Sequence, residues 1–363
     1  MKKLVLNDFH SHHGAEWMSS KNWLIPQHYG DVKRELFGLN NHAGLLDRSY
    51  LGKVLLKGND TIDFINRIST NDMNKLVLGT VCDTVFATPK GRIVDYCRVI
   101  RMDKDYLAIS SYVDCRHLIE WLNRFLILEN VTIKDGSDHY LWLTLIGPKS
   151  VDFIRSLSGQ DFRGEDEQVW IHYRGIDFPA ILNNNFILPA FNLCIPANHA
   201  HDIAEWLHSQ LLQMGGCLIG DQAFQITRVQ SGMPDWGTEL TEDYNPHEAR
   251  LLDAVSFTKG CYTGQEVIAR LDTYDKVQKY LMIIELQDVL REAPPLDIVL
   301  DEEKIGLLTS YAFDPLAGRS VGLGYVKKMY ALDDFQIQVQ VLAGDRSVGA
   351  ALRIPPPAVR GRK

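Results

Sequence analysis

The stretch from residue 276 to the end constrains the fold most. Short runs at 281–286, 304–310, 320–326 and 336–342 alternate apolar and polar residues and are separated by turn residues. Side chains of a strand point to opposite faces in turn, so a period of two buries one face only. Several such strands in succession, with Gly344-Asp345 as a hairpin turn between two alternating runs, predict a separate all-β barrel or sandwich. Pro355-Pro356-Pro357 and the basic end Arg360-Gly361-Arg362-Lys363 read as a solvated tail.

Upstream the pattern changes. Residues 53–58 read as a strand closed by Gly58. Asn59-Asp60 then opens a helix carrying Ile62, Phe64, Ile65 and Ile68, with Asp60-x-x-Asp63 as a capping box. Strands follow at 93–100 and 106–109 around a turn at 102–105. A helix then starts from the caps Ser110-Ser111 and places Ile119, Leu122, Phe125 and Leu126 on one face. The order predicts an α+β unit with helices on one face of an antiparallel sheet. A strand at 141–146, a helix begun at Pro148 and a helix at 198–214 stopped by Gly215-Gly216 partly repeat it.

A length of 363 residues allows two or three such domains. A net charge of −8 argues against a constitutive nucleic-acid partner, because a phosphate backbone requires a basic surface. No apolar stretch approaches the roughly 18 residues of a membrane span. The apolar patch after Lys2-Lys3 is too short for a signal-peptide core, so the expected location is cytoplasmic. Cysteines at 82, 97, 115, 194, 217 and 261 form no Cys-x-x-Cys pair and read as reduced thiols.

Four clusters exceed what packing requires. His10, His12 and His13 lack an adjacent carboxylate partner, so they read as hydrogen-bonding groups of an ordered arm, with no metal site. Lys90-Gly91 reads as a hairpin tip leading into a strand that holds Asp95, an acid unfavoured in that setting. Asp95 faces either solvent or a cleft, where it would bind the N–H edge of a heterocycle. Arg228 precedes Gly232-Met233-Pro234 and either grips a ligand carboxylate or pairs with one of the acids near Glu239, Glu242 and Asp243. Last, Lys259-Gly260-Cys261-Tyr262-Thr263-Gly264-Gln265-Glu266 brackets a cysteine with glycines and sets a lysine two residues before it. A nearby cation favours the thiolate, the nucleophilic and metal-binding form.

This eight-residue segment resembles the signature of the YgfZ family, folate-binding relatives of the glycine-cleavage T-protein that support iron–sulfur protein maturation. Asp8-Phe9-His10, His13-Gly14-Ala15, Trp23-x-x-Pro26, Tyr29 and Ala43-Gly44-Leu45-Leu46-Asp47-Arg48-Ser49 resemble the T-protein (aminomethyltransferase) itself. So do Thr70-Asn71-Asp72 with Leu76 and Gly79, Lys90-Gly91-Arg92-Ile93, Ile305-Gly306-x-x-Thr309-Ser310 and Gly322-x-Gly324-Tyr325-Val326. The resemblance implies a three-domain α+β cloverleaf around a central folate cavity. Its first domain would take residues 1–50 and 138–226. A ferredoxin-like second would take 51–137 and 227–275, and the C-terminal β-barrel 276–363.

It also implies tetrahydrofolate, or another reduced folate, as the cofactor. Cys261 and Asp95 would be the catalytic groups, and Arg228, Asp95, Lys259, Tyr262 and Gln265 would bind the cofactor. The T-protein has two adjacent acids where this chain has Asp95 and Tyr96, and a histidine where this chain has Tyr50. Its pterin-binding glutamate falls near 183–190, a stretch without any acid here. The implied function is a tetrahydrofolate-binding YgfZ-like role in iron–sulfur protein assembly or repair, with iron–sulfur client or assembly proteins as partners. The alternatives are an aminomethyltransferase or demethylase, the former working with a lipoyl protein, and a non-enzymatic scaffold. Neither nucleic acid nor membrane is expected as a partner.

Overall fold

In the computed structural model, which describes residues 1–78, 80–102, 105–160, 168–331 and 337–356, two sheets lie face to face and a closed barrel follows them. The first sheet has six strands, ordered Gln168–Tyr173, Ile176–Leu182, Ala190–Pro196, Tyr140–Ile146, Gly44–Asp47 and Cys217–Leu218. The second has five antiparallel strands, ordered Val81–Ala87, Ile93–Arg101, Asp105–Ile109, Lys53–Lys57 and Thr132–Asp135. Strand Gly44–Asp47 thus joins a sheet whose other members come from beyond residue 139, after the chain has built the whole second sheet.

Alternation along the strands assigns the faces. Leu141, Leu143, Leu145, Phe191, Leu193 and Ile195 point to one side, where Phe153 and Ile154 of helix Ser150–Ser158 and Ile203 and Leu207 of helix Ala200–Gln213 cover them. In the second sheet Val54, Leu56, Cys97, Val99 and Ala108 are covered by Phe64 and Ile65 of helix Thr61–Ile68 and Leu118 and Leu122 of helix Arg116–Asn123. The opposite faces meet each other: Ile100, Leu107 and Ile109 pack on Trp142, Ile181 and Cys194. The layers therefore run helix, sheet, sheet, helix, with an inner interface between the sheets. A three-stranded sheet (Lys2–Lys3, Trp23–His28, Glu16–Ser20) and helix Asn7–His12 form the N-terminal arm.

The C-terminal strands close a barrel in the order Lys279–Leu286, Arg319–Lys327, Glu303–Asp314, Leu296–Leu300, Gln338–Ala343 and Arg346–Arg353. This is the expected α+β architecture with an all-β end. Residues 229–268 fill the space between the second sheet and the barrel. There Val229, Leu240, Val255, Tyr262 and Ile268 join Val85, Ala87 and Ile93 on one side and Leu281, Leu323 and Tyr325 on the other.

Several local expectations change. Asp60 does not form a capping box; its carboxylate accepts from Asn130 N at 2.7 Å, a distant backbone donor. Ser110 and Ser111 do not cap a helix, because both hydroxyls bind Asp95, and the helix begins only at Arg116 and ends at Asn123, before Phe125 and Leu126. Helix Asp221–Gln230 runs unbroken through the expected domain boundary at 226. Pro355 is not solvated tail: it packs on Gly232, where an added Cβ would fall 2.4 Å from the proline ring. Asp103 and Lys104 of the expected turn, Gly79, and Pro357 to Lys363 lie outside the described residues.

Candidate functional site

At the edge of the sheet–sheet interface the packing opens into a cavity of two lobes that share Arg48, Leu51, Ser111 and Asp235. The larger lobe, about 480 Å³ including its open mouth, is walled by inward-facing strand residues and by the loops between strands. Tyr96 and Arg98 come from the second sheet, Trp142 and Asn192 from the first, Asn183 and Asn185 from the connection between strands Ile176–Leu182 and Ala190–Pro196, and Met233-Pro234-Asp235 closes the side. Arg98 holds Asp83 with two bonds of 2.7 Å and also donates to Leu182 O at 3.2 Å, so this pair ties the two sheets together across the cavity wall. Asn185 donates to the Tyr96 hydroxyl at 3.2 Å.

Arg48 sits at the centre of the arrangement. It is only 7% exposed, its guanidinium carbon lies 4.7 Å from the Phe224 ring centroid, and its Nε has no hydrogen-bond partner. A buried donor left without an acceptor costs about 1–3 kcal/mol, so this one is suited to a ligand oxygen or ring nitrogen. The backbone that carries it is fixed from below. Lys53, fully buried, donates from Nζ to Ser49 O and Leu51 O at 2.9 Å each, and burial lowers its pKa to about 8.

The smaller lobe holds two carboxylates. Burial pushes Asp235 up, but the Lys21, Arg228 and Arg48 cations more than reverse this and hold it below the ordinary range; Lys21 Nζ lies 2.9 Å away. Burial raises Asp221, with the Asp235 charge adding to the rise. Two acids with opposite displacements can serve as a proton donor and an ionised partner at one pH. Beside Asp235, Trp236 stacks on Tyr112 at 3.6 Å between ring centroids.

The expected site residues fall in three places. Asp95 is fully buried and alternates with Tyr96, so it faces the helix layer while Tyr96 faces the cavity. Ser110 Oγ (2.5 Å), Ser111 N (3.1 Å) and Ser111 Oγ (2.6 Å) donate to Asp95, and His117 Nε2 lies 3.1 Å from it. Its reach to the cavity thus runs through two serines. Arg228 is buried and spends its donors within the protein, on Gln225 Oε1 (2.8 Å), Met233 O (2.8 Å), Glu239 Oε2 (3.2 Å) and Ser310 Oγ (3.2 Å). The geometry matches the ion-pair reading of Arg228.

Lys259, Cys261, Tyr262 and Gln265 share one loop. Lys259 Nζ donates to Asn66 O, Ser69 O and Asn71 O at 2.6–2.8 Å, clamping the loop to the end of helix Thr61–Ile68. Burial lowers the Lys259 pKa to about 8. The ammonium is thereby committed to carbonyl oxygens. Tyr262 is buried in the core between sheet and barrel, under Lys259 Nζ at 5.0 Å from its ring. Gly264, at φ +83°, presses on the hairpin tip, and a Cβ there would fall 2.6 Å from Thr88 O. Gln265 opens helix Gln265–Thr273. Between these anchors Cys261 is exposed, whereas Cys97, Cys115 and Cys194 are buried.

Residues 6–259 match the GCVT N-terminal domain, and residues 279–359 match the glycine cleavage T-protein C-terminal barrel domain. The chain belongs to the glycine cleavage T-protein family. Among its relatives is the Arabidopsis thaliana protein named "Putative transferase At1g60990, chloroplastic", 30% identical over 332 residues, 91% of this chain and 75% of that protein. The aminomethyltransferase of Caldanaerobacter subterraneus subsp. tengcongensis is 25% identical over 346 residues, covering 93% of this chain and 91% of its own. The crystal structure of the glycine cleavage system aminomethyltransferase T from Bartonella henselae superposes over 100% of this chain and 99% of that one, with a TM-score of 0.84 at 19% identity.

Against that family frame, the cavity groups that sequence reasoning missed are Arg48, Asp83, Arg98, Trp142 and the Asp221–Asp235 pair. Arg48 had a signal available: it directly follows the apolar strand Gly44–Asp47 within the T-protein-like run. The acid-free stretch near 183–190 does reach the cavity, where it presents the amides of Asn183 and Asn185. Among the described residues, no helix is long and apolar enough to cross a membrane.

Proposed function

We propose that this member of the T-protein family binds a reduced folate, tetrahydrofolate or a close form, in the two-lobed cavity, and that it acts in the YgfZ manner. Its Cys261 then serves the assembly or repair of iron–sulfur proteins from a surface loop. The carrying observation is Arg48: a buried cation with an unpartnered Nε, lining both lobes. The donor set fits a folate. A flat heterocycle with N–H and C=O edges suits the aromatic wall of Tyr96 and Trp142 and the amides of Asn183, Asn185 and Asn192, while Arg48 would donate from Nε to a carbonyl or carboxylate oxygen. A bound reduced folate would supply one-carbon carrying capacity. The protein's own part is to exclude water from the ring and to fix its orientation.

The YgfZ-type assignment draws on the intact segment from Lys259 to Glu266, on the exposure of its cysteine and on amides in place of an acid at Asn183 and Asn185. The test is a calorimetric titration of wild type and Arg48→Met with reduced folates. Saturable wild-type binding, weakened at least tenfold in the variant, supports the cavity assignment; equal binding by both, or none by either, rejects it. A Cys261→Ser chain that restored iron–sulfur enzyme activity in a deletion strain as well as wild type would reject the role of the thiol.

A second reading is aminomethyl transfer with a lipoyl protein as partner. It is favoured by the aminomethyltransferase relatives and by the Asp221–Asp235 pair, which could hold and move a proton beside a donor carbon. Folate-dependent methylene release from an aminomethyl-lipoyl protein, abolished by Asp221→Asn, would establish it in place of the first reading.

A further inference from the structure

The N-terminal arm and helix Ala200–Gln213 bring together a second cluster of chemically capable side chains, built from groups that the folate reading does not use. Glu205 and His208 stand three residues apart on one face of that helix. His13, just past the end of helix Asn7–His12, meets them: its Nε2 lies 3.1 Å from Glu205 Oε2, and its ring centroid is 4.2 Å from that of His208. One ligand atom from each of the three residues can be chosen such that all lie within 4.8 Å of one another. The buried Phe9 ring forms the floor, 4.5 Å from His13 and 5.9 Å from His208 between centroids, which limits how far either imidazole can turn.

We propose that His13, Glu205 and His208 form a binding site for a divalent transition-metal ion of the zinc class. Metal–ligand lengths of about 2.0–2.2 Å around a tetrahedral ion place neighbouring ligand atoms roughly 3.3 Å apart. The His13–Glu205 pair already stands at that spacing, and since no separation exceeds 4.8 Å the closure needed is at most about 1.5 Å, within reach of small side-chain rotations on partly exposed groups. Two neutral imidazoles and one carboxylate are the borderline donors that such ions prefer, and they leave a bound dication with one residual positive charge. With three protein ligands, the fourth position is left to water or to an anionic group of a partner. The ion would also join the arm to helix Ala200–Gln213, which covers the first sheet. That arm carries His10, which lies 3.0 Å from Asp47, the neighbour of Arg48.

The test uses the full chain without an affinity tag, stripped of metal, and titrates it with Zn²⁺ by calorimetry and with Co²⁺ by visible absorption. One saturable equivalent is expected, with a tetrahedral cobalt spectrum. His13→Ala and His208→Ala should each weaken it at least tenfold, Glu205→Gln should weaken it while keeping the side-chain shape, and Cys261→Ser should leave it intact. No saturable equivalent, an equivalent that survives both alanine variants, or one that disappears in Cys261→Ser would each overturn the assignment. Folate titration of the same variants reads the cavity separately, so the two proposals fail independently.

Discussion

Replacing Arg228 by methionine separates its two sequence-level readings by their energetic consequences. In the structure Glu239 is fully buried, and its carboxylate accepts from Arg228 Nη1, Asp235 N and Thr238 Oγ at Oε2 and from the hydroxyls of Thr309 and Ser310 at Oε1. These partners come from the helix Asp221–Gln230, the loop that follows it and the barrel strand Glu303–Asp314. The pair therefore pins the barrel to the rest of the molecule. Arg228→Met leaves the carboxylate buried without its cation, a situation that costs about 3–5 kcal/mol. At a urea slope of about 2–3 kcal/mol per molar, the midpoint should fall by roughly 1–2.5 M. Glu239→Gln in the same background should recover part of the loss, because it removes the uncompensated charge; the double variant should cost less than the sum of the two singles. Reduced-folate affinity per folded molecule should stay near wild type at temperatures where the variant remains folded. A variant within 1 kcal/mol of wild type in stability but with tenfold weaker folate binding would refute the ion-pair argument and restore Arg228 as a ligand-gripping residue.

Other expectations can be tested in parallel. Lys259→Met removes three charge-assisted bonds to the end of helix Thr61–Ile68 and should raise hydrogen exchange across residues 66–71 and 256–263 well before global unfolding; unchanged protection would mean that the clamp is idle. Gly264→Ala meets both a left-handed backbone and the Thr88 carbonyl, and should destabilise by at least about 1–3 kcal/mol in urea unfolding; a neutral result would contradict the close approach. Iodoacetamide on the native chain should label Cys261 first, since it is exposed, while burial holds Cys115 and Cys194 at about 12; peptide mapping that finds either of those labelled first would refute this. For His117, burial pulls the pKa down but Asp95 and the Asp114 carbonyl more than reverse it, so the folded value is raised. The stabilisation is then present below about 6.5 and fades as pH rises through the folded value. His117→Gln should lose more stability, relative to wild type, at pH 5.5 than at pH 8.5, and an equal loss at both would remove the ion pair from the account.

What could be read from the sequence divides by the range of the interaction. The barrel strands announce themselves because alternation is local: Leu281, Ile283, Leu323 and Tyr325 reach the core shared with the second sheet, while Met282 and Ile284 of the same strand reach the barrel's own core. Caps are also local, yet Asp60 and Ser110-Ser111 went elsewhere. A cap is worth about 1 kcal/mol, so a backbone N–H at Asn130, or a buried carboxylate at Asp95 in need of donors, can outbid it. The oddness of Asp95 was legible as an acid where a strand should be apolar. Its resolution was not, because the serines that satisfy it lie on the neighbouring stretch of chain fifteen and sixteen residues later.

The cavity was the least legible part, and the reason is topological. Its walls come from residues 48, 83, 96–98, 142, 183–192 and 233–235, six separated stretches whose meeting depends on strand Gly44–Asp47 joining a sheet completed only after residue 139. No periodicity records such a crossing. The strand parity does carry one usable piece of information. With Cys97 and Val99 in the helix-facing core and Ile100 in the inner interface, the residues that can touch a ligand on strand Ile93–Arg101 are Tyr96 and Arg98, so Asp95 cannot be a direct ligand without a shift of register. A one-residue register shift would expose Cys97 and bury Arg98 among the aliphatic side chains of the helix layer, an exchange of an apolar core group for a charge that the fold could not sustain. The same parity that hides Asp95 therefore makes the Asp83–Arg98 pair a fixed part of the cavity wall, and leaves Arg48, with its free Nε, as the buried cation positioned to meet an incoming acceptor.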